Sequence, residues 1–168
     1  DTVLIETPRR TMLKLMASNA EVSEGIEAVF VQRALQQCFA PEVSYSELRE
    51  IAMSVKSSNY NRGDTIYREG EHGDRLFLIR SGTVALTRSS NGRQLAVGQY
   101  HSGQIVGQMA LIGVGLRHES AVAAVRTELI EIHQATFLAL LQKSPSAVTR
   151  LQALTASQLR ATHDLAAI

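Results

Sequence analysis

The 168-residue chain predicts a mainly β domain, a barrel or sandwich of short strands, with helical segments before and after it. Two observations carry this reading. Between residues 57 and 132, glycines recur at 63, 70, 73, 82, 92, 98, 103, 107, 113 and 115, with short alternating or β-rich runs between them. Turn signals at such intervals mark an all-β architecture. On either side of this region, apolar residues return at every third or fourth position, the period of a helix.

Taken in order, residues 8–55 read as helical. Met12, Leu13, Leu15 and Met16, then Ile26, Val29, Phe30, Val31 and Leu35, fall at helical spacing, and Met12 and Met16 are expected in the core. Pro8 suits a first helical turn, a break is expected around Pro41, and Ser46 is the expected N-cap of "SYSELREIAMSV". Cys38 is expected to pack as a small apolar residue on its helix. The strands are then expected in "DTIYREG", "DRLFLIRSG", "TVALTRS", "QLAVGQY", "SAVAAV" and "ELIEI". The pair Asn91-Gly92 between two of these runs predicts a tight hairpin turn. Helix resumes over residues 134–165, with Phe137, Leu138, Leu140 and Leu141 on one face. A stop near Pro145 follows, then a longer helix through Val148, Leu151, Leu154 and Leu159.

Composition narrows the function. A net charge of +1 gives no overall attraction to nucleic acid or to an anionic membrane. No apolar run approaches the roughly 20 residues that cross a bilayer as a helix. The single cysteine excludes an internal disulfide and a cysteine metal cluster, and points to a reducing, cytoplasmic setting. His72, His101, His118, His133 and His163 show no metal-ligand spacing, so no metal is expected. No set of nucleophile, base and orienting group is present at a credible site, so the chain is not expected to be an enzyme. "RGD" at Arg62–Asp64 falls at the entry to a strand and reads as a turn.

The two ends of the chain resemble each other. "DTVLIETPRRTMLKLM" set against "RTELIEIHQATFLALL" from residue 126 matches without gaps at seven of the fourteen positions from 2 to 15. Thr2, Leu4, Ile5, Glu6, Thr11, Leu13 and Leu15 meet Thr127, Leu129, Ile130, Glu131, Thr136, Leu138 and Leu140. Residues 1–40 are therefore expected to be the last strand and closing helices of a preceding repeat, with an N-terminal helical segment as the alternative, and residues 41–168 a complete second copy. The chain opens at Asp1 without a signal-peptide pattern, and a longer parent protein is expected.

Residues 106–120, "VGQMALIGVGLRHES", place one arginine nine residues after Gln108. A turn that opens a short helix leaves its first N–H groups without intrahelical acceptors, and those donors favour a phosphate. Gly107 lets a ligand approach the main chain, Ala110 adds no bulk, and Arg117 offers a planar fork of charged donors. Gln108 can meet a hydroxyl through its amide. A phosphate beside a ribose hydroxyl satisfies this set; a plain structural turn is the alternative.

With these residues in place, the chain resembles the cyclic-nucleotide-binding domains, the family of the catabolite activator protein and the kinase regulatory subunits. The resemblance rests on the 106–120 cassette, on "RGDTIYREGEHGDRLFLIRSGTVALTR" upstream and on "TELIEIHQATFLALLQKSP" downstream, in order over residues 44–160. It implies a jelly-roll-like β-roll, a double-stranded β-helix, flanked by helices. It also implies the ligand, cyclic AMP or cyclic GMP, without a further cofactor. Backbone N–H groups near Met109 and Ala110 and the side chain of Arg117 would hold the cyclic phosphate, with His118 beside it. Residue 108 would meet the ribose 2′-hydroxyl, and Leu86, Val97 and Tyr100 would line the base pocket. The helix over 146–164 would act as a moving lid.

Two positions depart from the family pattern. Gln108 stands where the family has glutamate, and Glu119 where it has alanine, one residue before Ser120 closes the cassette. A carboxylate at 119 would repel a phosphate or occupy Arg117. Two functions follow: a regulatory sensor that passes a nucleotide signal to an output domain elsewhere in the parent chain, or a degenerate copy serving packing or dimerisation through its helices. A transcription regulator would need a helix-turn-helix beyond Ile168; no nucleic-acid contact is expected from this segment.

Overall fold

The computed structural model describes residues 8–38, 52, 55–113, 115–143, 148–149, 153 and 156. Two helices, α1 (Arg9–Ser18) and α2 (Ala20–Cys38), precede eight strands. The strands are β1 (Lys56–Tyr60), β2 (Thr65–Tyr67), β3 (Arg75–Ser81), β4 (Thr83–Ser90), β5 (Arg93–His101), β6 (Ile105–Val106), β7 (Ser120–Ala123) and β8 (Thr127–His133). A one-turn helix α3 (Met109–Ile112) interrupts them, and α4 (Gln134–Lys143) follows β8. The predicted mainly β fold with flanking helices is what forms.

The strands make two four-stranded antiparallel sheets, β1-β8-β3-β6 and β2-β7-β4-β5. Strand β3 shows why they stack. Side chains alternate between the faces of a strand. Leu76 and Leu78 therefore point to a cluster with Val31, Leu35, Ile130, Ile132, Phe137 and Leu140, contributed by β8 and the helices. Phe77 and Ile79 point the other way, between the sheets, to meet Tyr67, Val84, Leu86, Val106, Ala121 and Leu129. A strand buried on both faces reads as an unbroken apolar run, which "LFLI" is. Each such side chain contributes about 1.5–3 kcal/mol by leaving water.

The hairpin between β4 and β5 forms at Asn91 and Gly92, whose φ angles are 51° and 75°. Both must be positive in a type I′ turn, which an Asn-Gly pair tolerates. Further along, Leu86 pairs with Gly98 and Thr87 with Ala96, so Val97 is the extra residue of a bulge. Arg62–Asp64 does lie in a turn, closed by the Asp64 N–H on Asn61 O at 3.0 Å.

Three sequence expectations need correction. The first helical stretch is broken at Asn19, which has extended φ and ψ of −144° and 110°. Its N–H closes α1 on Leu15 O, while its side-chain oxygen accepts the Val22 N–H at 3.2 Å in the first turn of α2. The apolar stripe is also only half used: Val31 and Leu35 are buried, but Met12, Leu15, Val29 and Phe30 are exposed. Phe30 is covered in part by the Arg80 guanidinium at 5.1 Å. Finally, Leu138 faces out from α4 while Phe137 and Leu140 are buried. The strand over residues 1–7, the break at Pro41, the Ser46 cap, the Cys38 side chain, the stop at Pro145, the helix through Leu151, Leu154 and Leu159, and His163 lie outside the described residues. No described helix is long and apolar enough to cross a membrane, and no cluster of His, Cys, Asp or Glu among the described residues can hold a metal ion.

Candidate functional site

Arg117 is the centre of the cassette, and backbone pairing fixes where it sits. The Gly73 N–H donates to Gly115 O at 2.9 Å, the Arg117 N–H to Glu71 O at 2.8 Å, and the Gly70 N–H to Arg117 O at 2.9 Å. The segment before β7 is thus laced to the turn between β2 and β3. The Arg117 side chain then runs inward, and the residue is only 5% exposed.

The guanidinium donates from Nη1 to Gly107 O and from Nη2 to Arg75 O, both at 2.8 Å. It lies 4.3 Å from the Tyr67 ring centroid and 5.6 Å from that of Phe77, two rings stacked on each other at 5.8 Å. Stacking on desolvated aromatic faces contributes about 2 kcal/mol. Nε is buried with no hydrogen-bond partner among the described residues, and no described carboxylate comes within 4.0 Å of the group. Burial lowers the pKa of Arg117, yet an arginine does not deprotonate in proteins. The fold therefore holds a fixed buried cation whose nearest partners are neutral.

Two glycines make room for it. A Cβ on Gly73 would stand 2.6 Å from both Arg117 Nε and the Ala110 Cβ, and one on Gly107 would stand 2.5 Å from Arg117 Nη1. Gly107 also has a φ of +81°, which favours glycine. The close approach to the Gly107 main chain that the sequence reserves for a ligand is made, in this structure, by the arginine itself. The same geometry puts Nε beside Ala110 in α3, where the first helical bond is from the Leu111 N–H to Gln108 O at 3.0 Å. The N–H groups of Met109 and Ala110 precede it and have no acceptor inside the helix.

The remaining predicted residues gather around this centre. Gln108 is fully buried just ahead of α3, Met109 is half-buried and Ala110 is buried. His118 is half-buried, and its Nε2 lies 3.8 Å from where a Cβ on Gly113 would be. Ser120 opens β7, and its hydroxyl accepts the Glu69 N–H at 3.0 Å. Leu86 is buried between the sheets, with half-buried Val97 and Tyr100 against the same cluster as Tyr67. Glu119 is buried too, and desolvation pushes its carboxyl above the usual carboxylate range, against the opposing pull of His118 and Arg88. It makes neither a hydrogen bond nor an ion pair with Arg117.

Three contributors were not marked from the sequence: Tyr67, Phe77 and Gly73. Tyr67 is 5% exposed, and its hydroxyl has no hydrogen-bond partner among the described residues. Burial first, then the nearby Glu119 charge, push its phenol well above the ordinary value. Gly73 lies in a run already noted for its glycine turns; what it must leave space for was not readable there.

Comparison with known proteins gives the following. The profile described as "Cyclic nucleotide-binding domain" matches residues 57–144. The cyclic AMP receptor protein of Thermus thermophilus is 35% identical over 102 residues, covering 60% of this chain and 47% of that protein. The cAMP-dependent protein kinase regulatory subunit of Mucor circinelloides is 26% identical over 144 residues, covering 82% of this chain and 34% of that protein. Among solved structures, a cyclic nucleotide-binding domain from Methylobacillus flagellatus superposes with a TM-score of 0.69 at 22% identity, covering 84% of this chain and 83% of the other. The chain thus spans less than half the length of the two relatives it matches in sequence.

Proposed function

The chain belongs to the cyclic nucleotide-binding domain family, and on that premise we propose that it is a regulatory sensor that takes cyclic AMP or cyclic GMP and passes the signal through its flanking helices. The observation that carries the reading is the Arg117 guanidinium: a permanent cation, buried, with a free Nε and no carboxylate partner among the described residues. An uncompensated buried charge is costly, and a phosphate monoanion entering beside Ala110 supplies the counter-charge. In this reading Arg117 and the N–H groups of Met109 and Ala110 hold the cyclic phosphate, with His118 beside it. Gln108 meets the ribose hydroxyl, and Leu86, Val97 and Tyr100 receive the base. No bond is made or broken. A cytoplasmic setting and an output domain elsewhere in a longer parent chain go with this reading.

The tandem organisation proposed for residues 1–40 and 41–168 has support in element lengths. Helix α1 spans ten residues, Arg9–Ser18, and α4 spans ten, Gln134–Lys143. These are the same positions in the alignment of the chain's two ends.

Isothermal calorimetry and thermal denaturation with cyclic AMP, cyclic GMP and 5′-AMP test the sensor. Ligand at a hundred times its dissociation constant stabilises the fold by about 2.7 kcal/mol, and both cyclic nucleotides are to be compared against the open-chain control. No heat and no shift at millimolar cyclic nucleotide refute it. One observation favours a second reading, a copy that no longer binds: the guanidinium already spends two donors on Gly107 O and Arg75 O, and Glu119 is buried nearby. Glu119→Ala separates the two. Affinity found only in the variant shows a site blocked by its own carboxylate, and affinity in neither shows a structural cassette.

A further inference from the structure

We propose that Tyr67 is a ligand-binding residue whose phenolic hydroxyl donates a hydrogen bond to the anionic phosphate held by Arg117; this rests on the cyclic-nucleotide reading above. Tyr67 ends β2, and its register against β7 turns the ring in between the sheets. Most tyrosines buried this deeply bond their hydroxyl to a neighbour, because a hydroxyl stripped of water and left alone is destabilising. This one bonds to nothing described. A phenylalanine would fill the same space between Phe77 and the guanidinium without that penalty, so packing alone does not account for the oxygen.

The surroundings indicate what the hydroxyl is for. The Arg117 guanidinium sits 4.3 Å from the Tyr67 ring, and a Cβ on Gly107 would meet Tyr67 Cε1 at 3.3 Å and Arg117 Nη1 at 2.5 Å. Tyr67 therefore borders the cassette itself. Arg117 Nε is likewise buried without a hydrogen-bond partner among the described residues; it is a donor, on the side chain stacked against this ring. Two unmet donors on one stacked pair, in a neighbourhood already holding a fixed positive charge, call for an acceptor that carries negative charge. A phosphate diester has two exocyclic oxygens, enough to take one bond from each. Burial and the adjacent Glu119 keep the phenol protonated, so it enters as a donor.

The test is Tyr67→Phe in the whole 168-residue chain, titrated by calorimetry with cyclic AMP and with its Rp and Sp phosphorothioates. Loss of a hydrogen bond to a charged oxygen predicts about a tenfold or greater weakening toward cyclic AMP. Sulfur is the poorer acceptor, so the wild type should separate the two isomers and Y67F should narrow that separation. Without ligand, Y67F should melt at or above the wild-type temperature, which marks the hydroxyl as serving the ligand and not the fold. A wild type that binds cyclic AMP while Y67F binds it equally, with the same isomer preference, overturns the role of Tyr67 and leaves the sensor reading intact. A wild type that binds neither cyclic AMP nor cyclic GMP overturns the sensor reading and this inference with it.

Discussion

Gly73→Ala tests whether the arginine seat is built as described. Gly73 does not use the left-handed region, so alanine meets no backbone penalty and the effect is steric. The new methyl would lie 2.6 Å from the Ala110 Cβ, 2.6 Å from Arg117 Nε and 2.7 Å from Arg117 Cζ. Carbon contacts are comfortable at roughly 3.5–4.0 Å, so the overlap is about 1 Å on two sides. Ala110 is fixed by its backbone, and the guanidinium has to give way. Its bonds to Gly107 O and Arg75 O, both 2.8 Å, are then lost. Such bonds contribute about 1.5–3 kcal/mol each, partly recovered if the group reaches water. Overpacking alone costs about 1–3 kcal/mol. A net loss of about 3 kcal/mol is expected, a fall in Tm of roughly 6–12 °C for a chain of this size. Urea titration reads it as a lower midpoint at unchanged slope. Gly25→Ala in α2 is the control: no atom lies within 4 Å of its Cβ position, and the fold should gain about 0.5–1 kcal/mol. A G73A midpoint at or above that of the wild type, with the slope unchanged, would refute the seating of Arg117 against Gly73.

Three further outcomes follow from the same contacts. Arg117→Lys keeps the charge but cannot span Gly107 O and Arg75 O with a planar fork, so under the proposed sensor reading calorimetry should show cyclic AMP affinity reduced by about tenfold or more. Burial raises the Glu119 pKa in the fold, so the unfolded chain releases that proton first and stability falls as pH rises from the ordinary carboxylate value through the raised one. Glu119→Gln should remove that loss, seen as a flatter Tm profile over this window, and an unchanged profile would contradict the burial of the carboxyl. Glu131 has the opposite sign. Burial pushes its carboxyl up, but the Ser58 hydroxyl and the Arg75 guanidinium, at 2.7 Å, together hold it below the usual range. Its stabilisation is present above the ordinary carboxylate pKa and is lost as pH falls through the lowered one, and Glu131→Gln should abolish that acid limb.

What the sequence made legible follows from how local each signal is. Asn91-Gly92 names its own turn, and the run "LFLI" declares a strand covered on both faces. The Gly107 to Arg117 spacing also stays within the single connection from β6 to β7, so a glycine turn opening a short helix could be read. Strand β1, "KSSNY", could not: it is polar, largely exposed at the edge of its sheet, and held by its pairing with β8. Strand β6 is two residues long, too short for any period to appear. Asn19 was hidden because the apolar spacing continues past it, and the break depends on one residue serving two helices. Tyr67 and Gly73 reach Arg117 only through the pairing of β2 with β7 and of the residue 70–73 turn with residues 115–117. No property of either residue taken alone announces a neighbour so far along the chain.

The dipeptide Asp74-Arg75 has a mechanical consequence. The Arg75 carbonyl accepts a hydrogen bond from Nη2 of the guanidinium, and the preceding carbonyl, of Asp74, accepts one from the N–H of Gln134, the first residue of α4, at 2.8 Å. Consecutive Cα atoms are about 3.8 Å apart, so the arginine and the root of the closing helix hang from adjacent pegs on one rigid rail. In the sensor reading, any ligand that shifted the guanidinium would act on the strand one residue from where that helix is fastened.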